Sequence, residues 1–271
     1  MAKIAQIKLH DSGGDLGKRP VVSRFLEKYC GNDKGGFVLE FQVFEMTTAS
    51  IEVLKGAADA RLGLTTNETF YIVSTDAKDT ALGVGTQGCM ILGLRKDTDD
   101  NWEYRAVYAP TGGLTKTDIT TYDFCEIIDA FPIANGSEAN PAGDITICRK
   151  TGDTKVLTIS AGELFSNGSS IIVPVGYYAE LLTFGGIWTS TPGVNEALIL
   201  THNYINFGIN NNIDDHVHRD GLSANVVLPS ISCCEHLANS KALSIVTLSQ
   251  HHLVGAETMD VSVFIGIKKF K

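Results

Sequence analysis

Short apolar stretches with a period of two recur along the whole chain, and clusters rich in Gly, Asn and Asp separate them. They run Phe37 to Phe44, Phe70 to Ser74, Cys89 to Leu94, Trp102 to Val107, Asp144 to Arg149, Val156 to Ile159, Ile171 to Val175, Tyr178 to Phe184, Ala197 to Thr201, Leu243 to Leu248 and Val261 to Ile267. Each has the length of a strand, and alternation puts every second side chain on one face. Turn chemistry lies between them, at Asp97 to Asn101, Pro110 to Gly113, around Gly136, Ser166 to Ser170 and Phe184 to Trp188. The amphipathic helices that a βαβ arrangement places between strands are missing. The pattern predicts an all-β fold, an antiparallel β-sandwich of jelly-roll-like kind with at most one or two short helices. The helical candidate is Pro20 to Cys30, where Pro20 suits the first helical position and Val21, Phe25 and Leu26 share a face.

Composition supports a folded body. A single domain of 271 residues buries roughly three quarters of the surface of its unfolded chain. The 44% hydrophobic and 20% charged shares exclude a disordered chain or a coiled coil. Glycine at 27 against 7 prolines suits many tight turns and few strands lacking an amide donor. The formal net charge of -9 has the wrong sign for neutralising phosphates, so no direct nucleic-acid binding is expected. The first residues lack the apolar core of a secretory signal and no stretch approaches bilayer-spanning length, so neither export by a cleaved signal nor membrane insertion is expected. The six cysteines form no C-x-x-C pair and most sit in apolar runs, as small buried hydrophobes do in a reducing compartment.

The polar, glycine-rich stretch 1–36 reads as an N-terminal arm with a short helix, and 37–271 as the β-sandwich body. A seam between two subdomains of that body, if there is one, falls near 115–123. Asn203 to Ser223 reads as a long strand-poor loop of the kind that contacts partners.

Candidate chemistry is sparse. Asp97 to Asn101 begins like a calcium loop, but Trp102 stands where an EF-hand needs Gly and Tyr108 where it needs a bidentate Glu, so a hairpin turn is expected. His216 and His218 are two residues apart, and with Asp220 form a candidate transition-metal set of the type that a cupin-like enzyme would use. A cupin's following Glu is absent, Leu222 standing there, and solvated or subunit-contact histidines are the expectation. His251 and His252, with Cys233, Cys234 and His236, could meet at a zinc ion only if the fold gathered them. Gly83 to Gly88 lacks the Lys and helix of a phosphate cradle; its glycines suit close backbone approach instead. The sequons at Asn67, Asn135 and Asn167 are expected to be chance matches in loops. No catalytic residue, no cofactor and no resident metal is expected.

Two stretches resemble a recurring pattern in virion structural proteins of marine tailed phages and large algal DNA viruses. In Phe70 to Gly113 the pattern takes Ile72, Ser74, Asp79, Gly83 and Gly85, then Gly93 and Leu94, a polar turn, Asn101 to Glu103, and Gly112. In Phe124 to Leu182 it takes an element from Ile128 to Thr146 that includes Ala142-Gly143-Asp144, a segment from Ile159 to Ser166, and a strand from Val173 to Leu181. The final pair of apolar runs is similar to that group's closing strands. Arg95-Lys96 and Cys233 to Lys241 depart from the pattern. The resemblance spans about three quarters of the chain, and implies a jelly-roll-like capsid or capsid-associated subunit with no catalytic residues. It further implies a homo-oligomer, trimer or higher, packed against other coat proteins in a virion assembled inside the host cell. Trp102, Tyr177, Tyr178, Trp188, His216 and His218 are the expected contact residues. The rival is a receptor- or glycan-binding head of a viral fibre or spike, with Trp188 or Trp102 as the stacking platform.

Overall fold

In the computed structural model the backbone is described for 62–164, for Phe25, Gly36 and Ser166, for 174–176 and for the strands named below; side chains are described at 25, 36–39, 62–164, 166, 172–180, 182 and 265–269. The strands are β1 (Ile4–His10), β2 (Phe37–Thr48), β3 (Glu52–Val53), β4 (Phe70–Ser74), β5 (Thr86–Lys96), β6 (Trp102–Pro110), β7 (Thr117–Asp118), β8 (Glu126–Asn135), β9 (Ile145–Arg149) and β10 (Lys155–Ile159). They continue with β11 (Ile171–Val173), β12 (Tyr177–Thr189), β13 (Glu196–Asn206), β14 (Ile209–Leu222), β15 (Val226–Asn239), β16 (Ser244–His252) and β17 (Glu257–Lys269). Every strand pairing is antiparallel, and the all-β class read from the apolar alternation is the fold observed. No helix among the described residues is long and apolar enough to cross a membrane.

The chain forms two compact units, one discontinuous (Met1–Lys55 with Ser170–Lys271) and one continuous (Gly56–Ser169). In the continuous unit two sheets, ordered β10-β9-β4-β7 and β6-β5-β8, enclose one core. Phe70 and Ile72 of β4, Ile145 and Ile147 of β9 and Leu157 of β10 meet Ile91 of β5 and Ile127 of β8 there. The core needs close packing: a Cβ on Gly93 would come within 2.3 Å of the buried Phe124 ring. The discontinuous unit holds one sheet ordered β1-β2-β17-β12-β15 and another ordered β11-β16-β13-β14, with β3 also on β16.

Several sequence expectations change. Residues 4–10 of the expected arm are strand β1, paired with β2 from Ile4↔Phe44 to His10↔Val38. Within the expected helix only Phe25 is described; it is helical and buried. The unit boundaries fall at 55/56 and 169/170, so 115–123 lies inside the continuous unit. The expected loop Asn203 to Ser223 is largely the strand pair β13 and β14, in register from Glu196↔Leu222 to Asn206↔Ile209. Its Asn and Asp residues disfavour strands on their own, but a neighbouring strand that supplies a full ladder overrides that preference. Phe184 to Trp188, expected to turn, runs inside β12, and its glycines coincide with a break in register against β15 between Phe184 and Gly186. Glycine in a strand marks a bulge as readily as a turn. Strand β8 escapes the alternation rule because it contains Asp129 and Pro132; it is an edge strand, where a missing donor is tolerated, and the register shifts beside Pro132.

Packing at Gly93 and Phe124 yields a test. Gly93→Ala is expected to cost about 1–3 kcal/mol by overpacking and Phe124→Ala about 3–5 kcal/mol by cavity formation. The double variant should lose less than the sum, because the smaller residue vacates the space that the new methyl group needs. Urea unfolding of the four proteins measures this.

Candidate functional site

A densely bonded point in the continuous unit is the side chain of Asp79, which is fully buried. Its Oδ1 accepts from the amides of Thr86 (2.7 Å) and Ala142 (3.0 Å). Its Oδ2 accepts from the Gly143 amide (3.0 Å) and the Ser74 hydroxyl (2.6 Å). A buried carboxylate is costly unless its lone pairs are used, and here four donors from three separate segments use them. Gly85 must be glycine in this knot, since a Cβ there would lie 2.2 Å from Asp79 Oδ1. The carbonyl of Asp79 accepts from Gly113 N (2.6 Å), and the Gly113 carbonyl accepts from Ser74 N (2.8 Å). Ser74, Asp79, Gly85 and the Ala142-Gly143 pair belong to the sequence pattern noted above, so much of that pattern is a device for clamping loops.

The clamped loops hold apolar side chains in solvent. Gly83 N donates to Thr80 O (2.8 Å) and Thr115 N to Gly112 O (3.1 Å), closing two tight turns. Their first residues, Thr80 and Gly112, are bridged to each other. Leu82 stands in the first turn, 98% exposed, and Leu114 in the second, 64% exposed. Val84 follows, also exposed, with its carbonyl accepting from Glu138 N (2.7 Å). Apolar residues at the tips of turns with fixed backbones suit contact with another surface.

A groove of about 500 Å³ opens between the end of β6 and β7, lined by Tyr108 to Pro110 and Lys116 to Thr120. Tyr108 is 46% exposed on its rim. Beside it Lys116 Nζ donates to Asp153 Oδ1 (2.8 Å), which also accepts from Tyr71 OH (3.1 Å), and the ammonium lies 4.6 Å from the Tyr71 ring centroid. Burial pushes the Tyr71 phenol up to about 12, with a hydrogen bond to Cys148 adding to it. The Lys116 hydrogen bond, then that from Tyr71, holds Asp153 below the usual carboxylate range. These groups are locked in their charged or neutral forms and offer no acid or base poised near neutrality. Burial likewise favours the protonated form of the three described thiols, raising Cys89 to about 12 and Cys125 to about 11, and also raising Cys148.

The sequence candidates are dispersed. Trp102 is 8% exposed on β6 with Lys96 Nζ 5.2 Å from its ring centroid, and Tyr177 is 2% exposed, so both are buried rather than presented. Strand alternation explains this, because in a sandwich large aromatics fill inward positions. Tyr178 is half-buried against the Lys268 ammonium (4.5 Å), which pairs with Glu180 (2.6 Å). Trp188 lies on β12 in register with Val226 and Met259; His216, His218 and Asp220 lie on β14; the side chains of all four are outside the described residues. Cys233, Cys234 and His236 fall on β15, in a different sheet from His251 and His252 on β16. Asp97 caps a hairpin turn, its Oδ1 accepting from Asp99 N and Asn101 N (both 2.8 Å). Asn67, the first sequon, uses its amide to clasp Lys96, donating to the carbonyl (2.7 Å) and accepting from the amide (2.8 Å). Sequence reasoning missed Leu82, Leu114 and Tyr108; a leucine wedged between turn formers was the available signal for the first two.

No protein-family model, curated protein or solved structure matches the chain.

Two outcomes follow from these contacts. Asp79→Ala strands several buried donors and is expected to destabilise the continuous unit by about 3 kcal/mol or more, while Asp79→Asn, which keeps one acceptor oxygen, recovers part of the loss; urea unfolding reads both. Glu68 is held below its usual range chiefly by its hydrogen bond to Arg149, with burial opposing. The unfolded chain therefore takes up this proton first, so the contribution is full at neutral pH and drains away as pH falls below about 4.3. Glu68→Gln should flatten the acid limb of the stability–pH curve in that window.

Proposed function

We propose that the protein is a non-enzymatic virion structural protein, a capsid or capsid-associated subunit that self-associates and packs against other coat proteins. The observation that carries this reading is the pair of bridged turns that hold Leu82 and Leu114 in solvent on a backbone tied to Asp79. A contact surface gains most when its backbone needs no further ordering on association. The likeness to virion proteins supports the same reading, since the residues that carry it build this clamp.

Leu82→Asp and Leu114→Asp test it. Each is expected to weaken self-association at least tenfold by sedimentation or light scattering and to leave the thermal midpoint within about 2 °C, because no buried contact is lost. A wild-type chain that stays monomeric at high concentration and binds no coat protein overturns the reading.

A second reading, a glycan- or receptor-binding head, draws on the groove beside Tyr108. An exposed ring flanked by Lys116, Thr117, Asp118 and Thr120 supplies the stacking face and polar neighbours that a sugar needs. Under that reading Tyr108→Ala abolishes attachment to cells or glycans and leaves assembly intact; under the first it changes neither.

A further inference from the structure

Strand β14 is the edge of the sheet ordered β11-β16-β13-β14, and its alternation puts His216 and His218 on one face. Register extends that row across the sheet. His218 pairs with Ile199 of β13, and Ile199 pairs on its other side with His251 of β16. The adjacent row runs His216, Thr201, Ser249. Residues directly opposite in antiparallel strands share a face. Three of the chain's seven histidines thus lie in two adjacent rows on one side of one sheet, with Ile199 between His218 and His251, although 33 positions separate those two in the sequence. The next row on this face, Asp214, Asn203 and Thr247, is polar throughout.

The opposite face is mixed: two of its rows run Arg219, Leu198, His252 and Asp215, His202, Leu248. Adjacent in the chain, His251 and His252 therefore stand on different sides of the sheet.

Spacing suits a shared ion. Two residues along a strand separate His216 and His218 by about 6.7 Å, and two strand spacings separate His218 and His251 by about 9.6 Å. Both are separations that two imidazoles can bridge when each stands about 2 Å from one metal. Imidazole donors select zinc, copper or nickel over magnesium or calcium, and are neutral and able to bind above their ordinary pKa of about 6.5. We propose that His216, His218 and His251 form a site for a divalent transition-metal ion of the zinc class, with two ligands on the edge strand and the third across β13. His251 takes the place that the sequence alone offered to Asp220, which lies beyond the register shift between Glu196 and Leu198.

Calorimetric titration of the chelator-stripped full chain with Zn²⁺ at pH 7.5 tests this. One ion per chain is expected, with His218→Ala and His251→Ala each weakening binding at least tenfold. His252→Ala, one position away on the other face, should stay within twofold of wild type. Lowering the pH to 5.5 should release the ion as the imidazoles take up protons. Thermal unfolding in chelator establishes that each variant is folded, and His218→Gln and His251→Gln replace any that is not. Absence of stoichiometric zinc binding by the wild-type chain overturns the proposal, and so does an equal loss in His252→Ala and His251→Ala.

Discussion

One buried carboxylate organises the continuous unit. Asp79 ties the end of β4, the entry to β5 and the loop before β9 through four donors, while its own carbonyl takes in the loop after β6. Each tie alone is an ordinary hydrogen bond. Their shared acceptor makes them interdependent, because a buried carboxylate missing one donor costs more than the bond itself returned. The loops at this end therefore keep one arrangement, and the leucines that they carry have fixed positions.

Similar economy governs the rest of that unit. Glu126 is fully buried and accepts from Leu62 N and Gly63 N, fastening the segment that leads into the unit. Asp129 is also buried and accepts from the Ser166 hydroxyl (2.6 Å), fastening the segment that leads out. Acidic side chains inside this sandwich thus hold irregular backbone, and the paired sheets supply the apolar interior.

Strands with clean alternation were legible in the sequence, among them β4, β9, β10 and the core of β5. Those whose pairing outweighs their composition were not: β8 with its Asp129 and Pro132, β14 with its Asn and Asp residues, and β15. The pattern residues Ser74, Asp79, Gly83 and Gly85 stood out in the sequence, but their role did not, since nothing local says that Ala142 and Gly143 arrive at the same carboxylate. Trp102 and Tyr177 show the converse difficulty, because an aromatic on a strand is equally apt for a core or a contact and only its parity decides. The histidine row was unreadable for a third reason: which residue of β16 faces which residue of β14 is set by the strand between them, and register is a property of pairing rather than of either segment.

The nested arrangement of the two units bears on biosynthesis. The continuous unit is complete as soon as residue 169 has left the ribosome, and all its strand partners lie within about a hundred residues of one another. By contrast β2 finds its partner in β17, so that sheet joins residues 37–48 to 257–269. Closing so wide a loop is slow, and an unpaired β2 is an open edge until then. The inserted sandwich can thus mature while β2 still waits for β17, which makes that strand pairing the part of the fold most dependent on uninterrupted translation.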